Sequence, residues 1–308
     1  MGAGFRPPPF YNSDMKLSRK YQEWFWGYVF VLPVMVGFFL FMVYPMLTGI
    51  SLSFTKWSGF GPREWVGFAN YAKMFRDAHF IKAVWNTVYY TIGILLIGVP
   101  LALLLAMLLN QKFLKGRNLF RLIYYLPVVT MMAAVSMVWK WLLSPNYGLV
   151  NYFLGLVGLP KVNWLLDPHW AMPGLILMSI WKGTGFNAVI FLAGLQGIPK
   201  TFYEAAEIDG ATGWHRFRYI TLPLLSPTTF FVIITTMIHS AQIFQQAYIL
   251  TEGGPREATT TIVYYIYKNA FEWFKMGYSC AQGVFLLLIL IVATLVQWRI
   301  QKRWVHYA

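Results

Sequence analysis

The chain has 308 residues, 58% of them hydrophobic and 12% charged, with a mean hydropathy of +0.52. Soluble domains carry about 25% charged residues, so a water-soluble globular fold is excluded; disorder fails for the opposite reason, an apolar excess, and the lone Cys280 rules out an intrachain disulfide scaffold. The formal charge of +14 would suggest nucleic acid on a soluble protein, but no nucleic-acid partner is expected of a membrane protein whose charges set its topology.

A membrane-crossing helix takes roughly 20 apolar residues, so long intervals without charge mark the spans. Residues 1–26 are polar, include Pro7, Pro8 and Pro9, and read as a flexible or interfacial cytoplasmic arm. The apolar run that follows is too long for a signal peptide and has no small-x-small site after it. Span one lies between Glu23 and Lys56 and contains Pro33 and Pro45. Stretch 68–82 mixes apolar and charged positions at helical spacing, and reads either as an amphipathic helix along the outer interface or as an ordinary external loop. Span two lies between Lys82 and Lys112 with Pro100, and span three between Arg121 and Lys140 with Pro127. Span four covers residues 170–195 and is interrupted by Lys182. Span five lies between Arg218 and Glu252, span six between Lys275 and Arg299, and residues 301–308 form a short cytoplasmic tail. The expected fold is an all-α integral membrane protein, a bundle of six transmembrane helices over residues 27–300.

With both termini placed inside, 14 of the 25 Lys and Arg residues fall in inside segments and ten in outside loops. That excess favours an N-in, C-in topology. The first outside loop, with Lys56, Arg63, Lys73, Arg76 and Lys82, runs against it. No G-x-x-x-x-G-K-[ST] nucleotide loop occurs, the five histidines are scattered, and no nucleophile–base pair stands out. The chain is therefore not expected to be an enzyme or to hold a metal or cofactor.

The loop between spans four and five carries the most specific signal. Thr201 and Glu204 have the T-x-x-E spacing of a capping box. A short helix is expected from there to Asp209, with Gly210 as its left-handed stop and a basic helical piece, 212–222, leading to Pro223. The result would be a compact cytoplasmic knob with a small-residue face suited to a partner's groove. The string E-A-A-x-x-x-G, nine residues, then I-x-L-P is matched by Glu204, Ala205, Ala206, Gly210, Ile220, Leu222 and Pro223, and extended by Asp209, Ala211 and Phe217. It resembles the EAA loop of permease subunits of binding-protein-dependent ABC importers. The stretch LTEGGPREATTTIVYYIYKNAF at 250–271, Gly277, Tyr278 and Ala281 beyond it, and LAGLQGIP at 192–199 are similar to carbohydrate-importer permeases of the maltose-transporter MalF type. The resemblance covers residues 25–300. The large external insertion of MalF is missing, since the first outside loop is short.

That resemblance implies a division of labour. Two cytoplasmic ATP-binding subunits would bind ATP and Mg²⁺, and Glu204, Ala205, Ala206, Asp209 and Gly210 would couple to them. A second, homologous permease would complete the path across the inner membrane of a prokaryote, and an extracytoplasmic solute-binding protein would deliver a sugar, an oligosaccharide being expected. Polar residues at membrane depth normally face a bundle interior or a water-filled path. Thr235, His239, Gln242 and Gln246, at offsets of 0, 4, 7 and 11, read as one helical face, flanked by Ser240 and Gln245. Span four places Ser179, Lys182 and Gly183 near its middle, and Tyr124 precedes Pro127. The resemblance puts sugar-contacting positions near Tyr124, Ser179, Lys182, Gly183, Ser240, Gln242 and Ile243, of which the last is apolar. Gln, Ser and Tyr suit hydroxyl-rich ligands. Each also has a plainer reading: cross-helix bonds for Gln and Ser, a carbonyl or carboxylate partner for Lys182, a neutral bundle position for His239. A glycerol-phosphate-type solute, served by Lys182 and His239, is the alternative substrate. A stand-alone secondary transporter is disfavoured, because intramembrane carboxylates for ion coupling are absent.

Overall fold

The computed structural model describes residues 13–111 and 116–305. The first twelve residues of the expected arm, Lys112 and Lys115, and the last three residues of the tail lie outside the described residues. Two compact units divide the chain, one ending at Ser51 and one beginning at Leu52. Four helices are long and apolar enough to cross a membrane alone: Arg19–Leu52, Ala78–Leu109, Pro168–Gly197 and Met276–Gln301. Two bent pairs, Arg117–Val129 with Met132–Leu142 and Gly213–Leu224 with Ser226–Ala241, bring the number to six. The six charge-free intervals thus become six spans, but the third is bent by 99° and the fifth by 64°.

In the first unit the helix starts at Ser13, so residues 13–26 are not the flexible arm expected. Nothing from Ser13 to Glu23 is Gly or Pro, and Arg19 and Glu23 pair at i,i+4 with 3.7 Å between them. The apolar side chains of this helix are exposed.

Three prolines sit inside helices in the same way. Each follows by two residues a widened, π-helical turn: Phe39–Val43 before Pro45, Ile94–Gly98 before Pro100, and Phe217–Thr221 before Pro223. Proline has no N–H to donate, and its ring collides with the carbonyl of the preceding turn. Widening that turn makes room for the ring and lets the helix continue.

The second unit packs spans two and four closely. Ala102 and Ala106 are buried against Ala188, Phe191 and Leu192, the small-residue contact expected between membrane helices. Gly185 is required by a tighter contact: a Cβ there would lie 1.9 Å from the carbonyl oxygen of Tyr124. Residues 68–82 form neither the single amphipathic helix nor the plain loop. A short helix, Ala69–Met74, ends, and Asp77 then caps the next, Ala78–Gly93, accepting bonds from the amides of His79 and Phe80. Met74 and Phe80 are buried with Tyr265 and Tyr278, so the apolar positions face protein rather than the interface.

Asp77 ties three segments together at that end of the bundle. Besides its capping bonds, its Oδ2 accepts the hydroxyls of Tyr265, at 2.8 Å, and Tyr278, at 2.7 Å. Burial alone would raise its pKa, but the hydrogen bonds from Tyr278, Tyr265 and the two amides outweigh it and hold the carboxyl below its ordinary value. Nearby, Glu252, Arg256 and Glu257 adopt left-handed backbone conformations. The Asn86 side chain pins that loop by donating to the carbonyls of Glu257 and Thr260. Between spans three and four, Asn151 staples the connection, donating to Pro145 and Val162 and accepting from Val162 and Trp164.

Candidate functional site

Spans two, four and five enclose a cavity of about 430 Å³. Ser179, Lys182 and Gly183 of span four meet Thr235, His239 and Ser240 of span five on its wall, with Gln246 from the next helix. The reason is the break in span three. Thr130 and Met131 take extended backbone, ending the helix and leaving its last carbonyls without amide partners. Lys182 supplies them: its Nζ donates to the carbonyls of Pro127 at 2.7 Å, Val128 at 3.4 Å and Thr130 at 2.8 Å. An ammonium has three donors, and here all three are committed to the bend. The carbonyl-paired reading of Lys182 therefore describes its contacts.

The polar stripe of span five is not one helical face. The helix stops at Ala241, residues 242–244 turn, and a new helix runs over Gln245–Thr251. Helical offsets lose their meaning across that turn. Thr235 and His239 remain on the cavity, and Gln246 returns to it from the second helix, nearly buried. Gln242, the last residue before the turn, is exposed and off the cavity. Ile243 is buried in the apolar core, and its carbonyl accepts the Thr261 hydroxyl. Tyr124 also lies elsewhere: its backbone packs on Gly185, and its side chain borders an apolar groove with Leu104 and Trp181. Six of the eight expected path residues are thus together and two are not.

Sequence reasoning missed Tyr90 of span two, Asn187 of span four and Thr236 of span five, which complete the wall. Asn187 donates to the Thr236 hydroxyl at 3.1 Å. Asn187 was detectable as a polar residue four to eight positions from Ser179 and Gly183 on the same helix; Tyr90 was hidden among the interfacial aromatics.

The knob between spans four and five is formed by Lys200–Ile208. The expected capping box is absent. The helix begins one residue before Thr201, with Pro199 at the cap and no side-chain cap bond, because proline's fixed φ already suits a helix entry. The exit is as expected: Gly210 has φ +74°, and the Ala211 amide reaches back to the Ala206 carbonyl at 2.8 Å. Thr212 caps the next turn by accepting from the His215 amide. Tyr203 bonds Thr221, and Arg216 pairs with Glu207, so the knob is braced against the start of span five. Glu204, Ala205, Asp209 and Gly210 are exposed and Ala206 half-buried. Ile208 and Trp214 are 87% and 68% exposed, an apolar pair beside the acidic residues that the motif alone did not reveal.

A helical bundle with a polar cavity among broken spans, and a braced, exposed helix between spans four and five, defines a membrane transport subunit. The family model for the inner membrane component of binding-protein-dependent transport systems matches residues 78–306, and the chain belongs to that family. Its members are permease subunits of ABC transporters, membrane components rather than enzymes. The arabinooligosaccharides permease AraP of Bacillus subtilis strain 168 is 34% identical over 87% of this chain and 86% of its own. The sn-glycerol-3-phosphate permease UgpA of Agrobacterium fabrum strain C58 is 34% identical over 91% and 96%. In a crystal structure of a bacterial ABC transporter that imports the acidic polysaccharide alginate, one chain is 30% identical and superposes with a TM-score of 0.81 over 94% of this chain and 99% of that one. A second structure holds that kind of transporter in complex with an alginate pentasaccharide-bound periplasmic protein. These findings bear out the resemblance to carbohydrate-uptake permeases.

Proposed function

We propose that the chain is one of two permeases in an ABC importer for an uncharged sugar, most simply a short oligosaccharide. The committed ammonium of Lys182 carries this reading. With all three of its donors on span-three carbonyls, the cavity offers hydroxyl and amide groups but no free lysine for a phosphate. Ser179, Gly183, Thr235, His239, Ser240 and Gln246 are the solute-facing positions. The loop at 198–223 is cytoplasmic, as are both termini. Its helix docks on one of two ATP-binding subunits, with Glu204 and Asp209 as polar contacts, Ala205 and Ala206 as the close-packed face, and Gly210 as the turn. ATP and Mg²⁺ bind on those subunits, and a solute-binding protein delivers the sugar from the opposite side.

The test is uptake by vesicles reconstituted with this chain, the second permease, the ATPase and the binding protein. Labelled neutral oligosaccharides are expected to accumulate only with ATP and all four components. Preferential uptake of glycerol 3-phosphate would replace the sugar reading. Transport by this chain alone without ATP would end the importer reading.

A further inference from the structure

The first outside loop breaks the charge asymmetry that sets topology, and the structure collects its cations. Two adjoining cavities of about 950 and 640 Å³ share Lys73, Lys275 and Tyr278. Arg76 lines the larger, Arg63 the smaller. Both open where spans two and six begin, at Ala78 and Met276, which is the boundary between hydrocarbon and headgroups. No carboxylate lies within salt-bridge distance of Lys73, Arg76 or Lys275 among the described residues. The acid on the wall, Asp77, already accepts two phenol hydroxyls and two amides.

Aromatic faces place these cations without neutralising them. Lys73 Nζ stands 4.6 Å from the Tyr278 ring, Lys275 Nζ 5.1 Å from Trp273, and Arg63 4.6 Å from Trp57. Phe75 and Phe274, both more than half exposed, flank the pockets. Uncompensated cations in a concavity, with aromatic side chains beside them at the membrane boundary, match a ligand that is anionic at one end and apolar at the other. We propose that the paired pockets formed by Lys73, Arg76, Lys275 and Arg63 bind the headgroup of an anionic phospholipid, with its phosphate between Lys73 and Lys275. An acidic protein surface would need the same charge, but not a recess at the level where the spans begin or exposed phenylalanines beside it.

Native mass spectrometry of the full chain, purified in detergent with equimolar phosphatidylglycerol and phosphatidylcholine, tests this. The wild type is expected to retain phosphatidylglycerol preferentially. The double variant Lys73→Gln, Lys275→Gln should retain about thirtyfold less, from about 1 kcal/mol per cation, with unchanged helical content by circular dichroism. Lys302→Gln, beyond the far end of span six, should behave as wild type. Equal retention of the two lipids, or undiminished retention by the double variant, would overturn the proposal. So would displacement of the lipid by equimolar inorganic phosphate, which marks a free-phosphate site. Displacement by the purified solute-binding protein would overturn it too, marking a protein-docking surface.

Discussion

A lysine at membrane depth is costly unless its donors are met, and Lys182 meets them on the carbonyl end of a broken helix, where the helix dipole also favours a cation. Lys182→Met should leave those carbonyls unmatched and lower thermal stability by roughly 2 kcal/mol, with Lys182→Arg partly restoring it. Wild-type stability in the methionine variant would rule out the pinning role. Asp77 makes a prediction about pH. Its folded pKa lies below its ordinary value, so its contribution is complete above about pH 4 and is lost as pH falls through the folded value. Asp77→Asn should flatten the acid-side fall of the unfolding temperature and cost about 1 kcal/mol at neutral pH, the carboxylate being partly solvated. Residue identity made Lys182 conspicuous in the sequence, since it interrupts an apolar run. Its partners were not legible, because carbonyls carry no sequence letter.

Among the elements, the helix Lys200–Ile208 and its glycine exit carry the coupling prediction. Gly210 lies at φ +74°, where a β-branched side chain is strained. Gly210→Val should therefore distort the knob at a local cost of about 1–2 kcal/mol and abolish uptake, while the protein still inserts in the membrane fraction. Glu204→Lys should do the same by reversing charge on an exposed face. Normal transport by either variant would remove this loop from the coupling path. Charge-free intervals were enough to find all six spans, since hydropathy averages over about 20 residues. That same averaging concealed the breaks at Thr130 and at 242–244, each set by backbone torsion over two or three residues. Gln242 was misplaced for this reason: helical periodicity was carried through a turn. Pro127 gave a visible warning for span three; no proline or glycine marks the turn after Ala241.

For the whole molecule, the cavity and the knob lie on opposite sides of one mechanical problem. Spans four and five hold both: span four runs from Ser179 and Lys182 down to the helix at Lys200, and span five starts against that helix through Tyr203 and Thr221. A displacement of the knob is delivered directly to the cavity walls. Solute-stimulated ATP hydrolysis is therefore expected only from the assembled permeases, ATPase and binding protein, and measuring it with each component omitted in turn checks this. Stimulation that survived without this chain would exclude it from the coupling path.

The widened turns ahead of Pro45, Pro100 and Pro223 act as phase shifters. Each takes up one residue more than an α-helical turn, so the side chains beyond it are rotated by about 100° relative to an uninterrupted helix. In span two this rotation brings Ala102 and Ala106 onto span four. Removing one residue from Ile94–Gly98 would leave composition and length almost unchanged, yet turn bulky neighbours such as Leu101 and Leu105 towards a seam that accepts only alanine. A one-residue deletion there should be far more damaging than an alanine substitution at any single position of the turn. Alignments of such helices should be gapped at the turn, not at the loops.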